Sequence, residues 1–139
     1  MKRITGLLID PVNRISTIIC FVPTPANFRR LTGIQRLIDL PTQDDRLCYT
    51  VAACEAVEDD RIVHRKGWSR PVVGRVLITG ARDSKGNHTS LTPQQIGGCR
   101  RTHRIGTLYC AGIVEWCEMR KVAPAAPTLF DWPAPDKAP

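Results

Sequence analysis

The densest group of chemically versatile side chains lies between residues 97 and 117. Gly97-Gly98-Cys99-Arg100-Arg101 is followed by His103 and Arg104, then by Cys110 and Cys117. Three chemistries compete for this segment. Structural zinc sites bring ligands in close pairs, about two to four residues apart. Cys99 and His103 fit that loosely, whereas Cys110 and Cys117 are too widely spaced and no Cys-x-x-Cys occurs, so no metal is expected. A thiol nucleophile is the second option, because positive neighbours favour the thiolate of Cys99. No Asn or Asp is identifiable to orient a catalytic base, so packing thiols are the simpler expectation. The third option is anion binding. Two glycines permit a backbone nest whose N–H groups face an anion, with Arg100 and Arg101 beside it and His103 and Arg104 extending the positive surface. The alternative is an ordinary glycine turn followed by an exposed basic face.

A second candidate segment is Arg65-Lys66-Gly67-Trp68-Ser69-Arg70. A tryptophan among cations can stack on a base while the cations meet phosphates. No helix-turn-helix or aromatic-bearing RNA-binding motif accompanies it, and the same indole would equally cover the edge of a core. The carboxylate clusters Asp44-Asp45 and Glu58-Asp59-Asp60 fall in expected turns, where solvation explains them. Gly74 and Gly80 lack the Lys-Ser or Lys-Thr that completes a P-loop. No complete catalytic constellation is readable, and no cofactor is expected.

The charge pattern supports an anionic partner. The net charge is +7. Residues 1–60 are nearly neutral, and the excess lies between Arg61 and Lys121, where Asp83, Glu115 and Glu118 oppose a dozen cations. Such asymmetry suits nucleic acid, a nucleotide or an acidic protein, or else a solubilising surface. No stretch approaches the roughly 20 apolar residues of a membrane span. Lys2 and Arg3 precede apolar residues, but Asp10, Pro11, Asn13 and Arg14 break the run too early for a signal-peptide core. A cytoplasmic setting with unbridged cysteines is therefore expected.

These residues need a scaffold, and the chain predicts one. Arg3 to Asp10 and Ile15 to Val22 read as a hairpin, turned by Asp10-Pro11-Val12-Asn13. Thr24 caps a short helix with Pro25 at its first position and Gly33 as its stop, burying Phe28, Leu31 and Thr32 and leaving Arg29 and Arg30 outward. Ile34 to Leu40 reads as strand or helix. Leu47 to Val57 and Arg61 to His64 read as strands. Val72 to Gly80 reads as one buried central strand, followed by a loop turned at Lys85-Gly86-Asn87. Thr92-Pro93-Gln94-Gln95 carries a capping box, with Gly97-Gly98 expected to limit the helix. Ile105 to Met119 reads as a strand interrupted at Gly112.

The fold class expected is α+β: a small mixed, largely antiparallel sheet with one or two short helices in residues 1–121. An extended Pro/Ala-rich tail follows at 122–139, where closely spaced prolines forbid helix. The tail carries Leu129, Phe130 and Trp132, large apolar groups that need burial: docking on the chain's own sheet or on a second copy in a homodimer is the expectation, and a short linear motif for a foreign partner is the alternative.

Leu7-Leu8-Ile9-Asp10-Pro11, the hairpin, the glycine-stopped helix and the block Val72-Val73-Gly74-Arg75-Val76-Leu77-Ile78-Thr79-Gly80 resemble a family of small domains of unknown function found in bacteriophages, plasmids and other mobile elements. So does the charged loop returning to Ser90-Leu91-Thr92. The resemblance covers roughly residues 4–105. Cys48 and Cys54 stand where that family is more acidic, and the tail has no counterpart in it. The resemblance transfers no site residue. It implies an accessory protein of a mobile element. The expected function is a non-enzymatic binding module that occupies a host protein or its anionic ligand, most concretely to inhibit a host defence system. The alternative is a basic nucleic-acid-binding accessory protein, and the third reading is a cysteine enzyme.

Overall fold

The computed structural model describes residues 2–33, 37–40, 46–52, 57, 59–68, 70–109 and 113–122. The expected Ile34 start, the Asp44-Asp45 loop, Cys54, Glu58, Cys110, Gly112 and the tail with Leu129, Phe130 and Trp132 lie outside these residues. Among the described residues no helix is long and apolar enough to cross a membrane.

The chain opens with the expected hairpin, β1 (Ile4–Asp10) and β2 (Ile15–Phe21), paired so that Leu7 faces Ile18. Asp10 builds the turn. Its carboxylate accepts from the Val12 and Asn13 backbone N–H groups and from Asn13 Nδ2. Asp10 is buried, and Arg75 Nε lies 3.4 Å from its Oδ2, so the carboxylate is both hydrogen-bonded and charge-paired. Helix α1 (Pro25–Thr32) starts and stops as its punctuation dictates. Thr24 Oγ1 accepts from Asn27 N, and Gly33 takes the left-handed conformation at φ 78° that closes a helix C-terminus.

Among the described residues ten strands form two sheets. The larger runs β10-β2-β1-β7-β4-β3, with β3 (Leu37–Leu40), β4 (Leu47–Ala52), β7 (Val76–Gly80) and β10 (Arg120–Val122). Its pairs are antiparallel except β10 beside β2, which is parallel. The smaller sheet runs β6-β5-β8-β9, with β5 (Arg61–Arg65), β6 (Val72–Val73), β8 (His103–Tyr109) and β9 (Ile113–Cys117), all antiparallel. Helix α2 (Pro93–Thr102) leads directly into β8. The architecture is α+β, with two sheets where the sequence predicted one.

Strand alternation explains how the layers stack. Leu8 and Leu77 point to one face of the large sheet and pack with Phe21, Phe28 and Leu31, so α1 covers that side. Leu7, Ile9, Tyr49, Val76 and Ile78 point to the other and pack against Val63, Val72 and Ile105 of the small sheet and Ile96 and Cys99 of α2. Both faces being covered, the consecutive residues Leu7, Leu8 and Ile9 are all fully buried, as a continuous apolar run requires.

The sequence-based expectation of one strand from Val72 to Gly80 is corrected. Gly74 sits at φ 78° and breaks the run, sending Val72–Val73 into the small sheet and Val76–Gly80 into the middle of the large one. The apolar pattern registers burial on both sides of the break but not the turn between, which only a residue without Cβ takes cheaply. The turn at Lys85-Gly86-Asn87 is present, built on Asp83 Oδ1 accepting from Lys85 N and Asn87 N.

A candidate anion-binding pocket at the end of helix α2

Helix α2 begins with the predicted capping box: Thr92 Oγ1 accepts from Gln95 N, and Gln95 Oε1 accepts from Thr92 N. It does not stop at Gly97-Gly98. Both glycines lie inside the helix with φ on the ordinary side, so their N–H groups serve the helical ladder and form no nest. This corrects the role assigned to Gly97 and Gly98. A Cβ at either would meet only the tip of the flexible Arg101 side chain, at 3.4 and 4.0 Å. Glycine in a helix interior costs about 1 kcal/mol relative to alanine. Gly98→Ala is therefore expected to stabilise the protein by about 0.5–1 kcal/mol, read as a higher urea midpoint at unchanged slope. A lowered midpoint would show that the glycine serves a close approach.

Carrying the helix onward places Arg100 and Arg101 on its last turn. Arg100 is half-buried. Its Nε donates to Ser16 Oγ at 2.9 Å and an Nη to Ser16 O at 3.2 Å, which ties α2 to β2. Desolvation pushes its guanidinium below the usual arginine value. Arg101 is exposed and does not line the pocket described below.

His103 caps the helix and turns inward. Its backbone N–H and its Nδ1 both reach Cys99 O. A carbonyl only accepts, so Nδ1 carries the proton and Nε2 is left to accept from the Tyr49 hydroxyl at 2.8 Å. Tyr49 in turn accepts from Arg65 Nη1 at 2.9 Å. The chain Arg65 to Tyr49 to His103 to Cys99 O is thus directional and satisfied at every joint. His103 is buried at 2% exposure, and burial first, with the Arg65 charge assisting against the Cys99 hydrogen bond, lowers its pKa to about 4. It is neutral at pH 7. The expectation that His103 extends the positive surface is corrected: desolvation of the imidazolium outweighs the helix C-terminus that would favour it.

Trp68 is corrected likewise. Its ring meets Tyr49 edge-on at 5.3 Å and His103 at 5.6 Å, and it packs against the main core. It roofs the buried chain and is no free stacking surface. Lys66 and Arg70 are exposed in the same turn, and neither they nor Arg65 line the pocket. Cys99 is buried among Leu91, Ile96 and Ile105, a packing thiol. Cys20 and Cys117 are free thiols, exposed and half-buried respectively. Among the described residues no three His, Cys, Asp or Glu side chains gather as metal ligands.

What the structure does bring together is a pocket of about 170 Å³ where α2, β8, β9 and β10 meet. Arg100 comes from α2, Arg104 from β8, Trp116 and Cys117 from β9, and Lys121 from β10, with Met119 beside them. Among the described residues no carboxylate lines it. Among the described residues none pairs with Arg100, Arg104 or Lys121. The nearest carboxylate along β9, Glu115, engages Tyr109 instead. Arg104 Cζ lies 4.1 Å from the Trp116 ring centroid, a cation–π contact. His64, cross-strand from Arg104, lies nearly parallel to Trp116 at 6.1 Å and 29°. Burial first, then the Arg104 charge, lowers the His64 pKa, so it adds little to the positive field.

No protein-family model, curated protein or solved structure matches this chain. Function has to be read from these side chains themselves.

The sequence pointed to Arg100, His103 and Arg104, all of which line the pocket, but missed Trp116, His64 and Tyr49 and counted Lys121 only among the excess cations. One signal was available. Pairing β9 back on β8 sets Trp116 opposite Gly106, two residues from Arg104 on the same face.

Proposed function

We propose that this protein is a non-enzymatic binding module that holds a phosphate-like anion in the pocket between α2, β8, β9 and β10. The observation that carries this reading is the convergence of Arg100, Arg104 and Lys121 on one small pocket that no carboxylate among the described residues lines. Like charges held together raise each other's energy, and an anion relieves that cost with charge-assisted hydrogen bonds. In the mobile-element setting implied by the family resemblance, the anion belongs to a host ligand or host protein and is withheld from a host defence system.

The alternative, a broad basic surface for nucleic acid, draws less support. Arg75 serves Asp10 and Leu31 O, and Arg82 serves Gly86 O. The stripe from 61 to 104 is thus partly consumed by structure. The cysteine-enzyme reading loses its nucleophile to the core at Cys99.

Titration calorimetry with pyrophosphate over a salt series tests the proposal. The double variant Arg104→Ala/Lys121→Ala spares Arg100 and its tie to Ser16. Each hydrogen bond to a charged group is worth about 1.5–3 kcal/mol, so the variant should bind at least about a hundredfold more weakly. Its salt dependence should flatten as well. Equal binding by wild type and variant would discard the pocket.

A further inference from the structure

We infer that the pocket's ligand is an unpaired nucleotide, its phosphate held by Arg100, Arg104 and Lys121 and its base stacked on Trp116; this rests on the anion-binding reading above. Trp116 is 38% exposed, and no other aromatic ring among the described residues is as open. Its cross-strand partner is Gly106, which has no side chain to cover it. Two planar groups flank the indole, the Arg104 guanidinium at 4.1 Å and the His64 imidazole at 6.1 Å. The guanidinium lies over the indole and the imidazole stacks nearly parallel to it, so the three form a short π stack that an unpaired base can extend.

The decisive feature is adjacency. Trp116 and Arg104 both belong to this stack and both line the cationic pocket. A planar ring and an anionic group must therefore reach the protein within the length of one ligand. A nucleotide carries both at that separation. An acidic peptide would satisfy the cations and leave the indole without a planar partner. A duplex hides its base faces in its own stack, which leaves only phosphate contacts. The pocket volume of about 170 Å³ suits a phosphate and part of a sugar, with the base outside on the indole.

The shared chemistry, an unpaired base beside a phosphate, has two sources: a free nucleotide or a single strand. Calorimetry on the full chain separates them, using inorganic phosphate, AMP, a single-stranded trinucleotide and a duplex as probes. AMP should bind about tenfold tighter than phosphate through stacking. Trp116→Leu keeps apolar bulk but removes the π face, and should erase that margin, bringing AMP down to the phosphate affinity measured on the same variant. Trp116→Phe should keep part of the margin. A trinucleotide that outbinds AMP identifies a single strand as the source, and equal affinities identify the free nucleotide. AMP binding no tighter than phosphate, a duplex binding as well as the single strand, or a Trp116→Leu variant that keeps the full AMP-over-phosphate margin would each overturn the inference while leaving the anion site standing. Failure of phosphate and AMP alike to bind would remove both.

Discussion

Between pH 7 and pH 4 the protein is expected to lose about 3 kcal/mol of stability through His103 alone. The imidazole titrates at about 4 in the folded protein against an ordinary value of 6.5. Every tenfold weakening of proton affinity corresponds to about 1.4 kcal/mol. The sign follows from which state binds the proton. Between pH 6.5 and 4 the unfolded chain takes up a proton that the folded chain refuses, so stability rises with pH in that window and falls as acid is added. The hydrogen-bonded chain explains the refusal. A proton on Nε2 would face the Tyr49 oxygen, which already accepts from Arg65, and would cost the hydrogen bond that the tyrosine hydroxyl donates to Nε2. Because small domains hold only about 5–15 kcal/mol in total, the loss is large. Urea denaturation of wild type and His103→Gln at about pH 7, 5.5 and 4.5 isolates it. Wild type should lose stability steeply over that range and the variant much less. Parallel losses in both would place the acid sensitivity elsewhere.

Gly80→Ala is expected to cost about 3 kcal/mol or more, at the upper end for overpacking. A Cβ at Gly80 would sit 2.5 Å from Thr89 Oγ1 and 2.6 Å from Ser90 O, distances that no real Cβ keeps. Relief is blocked on the opposing side, because residues 89–91 are stitched down. Gly80 N donates to Thr89 O, Thr89 Oγ1 donates to Ala81 O, Leu91 N donates to Thr5 O, and Thr5 N donates to Ser90 Oγ. Gly86 is the useful contrast. Its φ of 81° asks for glycine, yet nothing lies within 4 Å of a Cβ there, so alanine adds only backbone strain of about 1 kcal/mol. Thermal unfolding should show a drop of about 10 °C for Gly80→Ala and a few degrees for Gly86→Ala. The reverse order would contradict the packing at the end of β7.

Local chemistry made much of the fold legible. The Asp10 turn, the Thr24 cap with its Gly33 stop and the Thr92–Gln95 capping box all act within a few residues, and each stands where the sequence placed it. The failures share a different cause. The sequence pattern predicts Gly74 within a strand and Gly97-Gly98 as a helix stop, yet the one breaks its strand and the pair continues its helix. Glycine permits either, and only packing from elsewhere decides. The site divided in the same way. Arg100 and Arg104 declared themselves by clustering, whereas Trp116 joined them through a strand register and Lys121 through a strand from the other sheet. His103 looked cationic because burial cannot be read from its neighbours in the chain.

The parallel pairing of β10 with β2 sets an order of assembly. Arg120 lies beside Ile15, more than a hundred residues away along the chain. During synthesis the outer edge of β2 therefore stands open while the rest of the molecule is still being made, and an unpaired edge invites association with other chains. Closing so long a loop carries an entropy cost that earlier contacts must prepare for. β10 thus works as a latch that joins the end of the small sheet to the edge of the large one. Lys121 rides on that latch, so the cationic pocket is complete only when the latch is shut. A ligand that fills the pocket selects the latched state and adds its binding free energy to the closure.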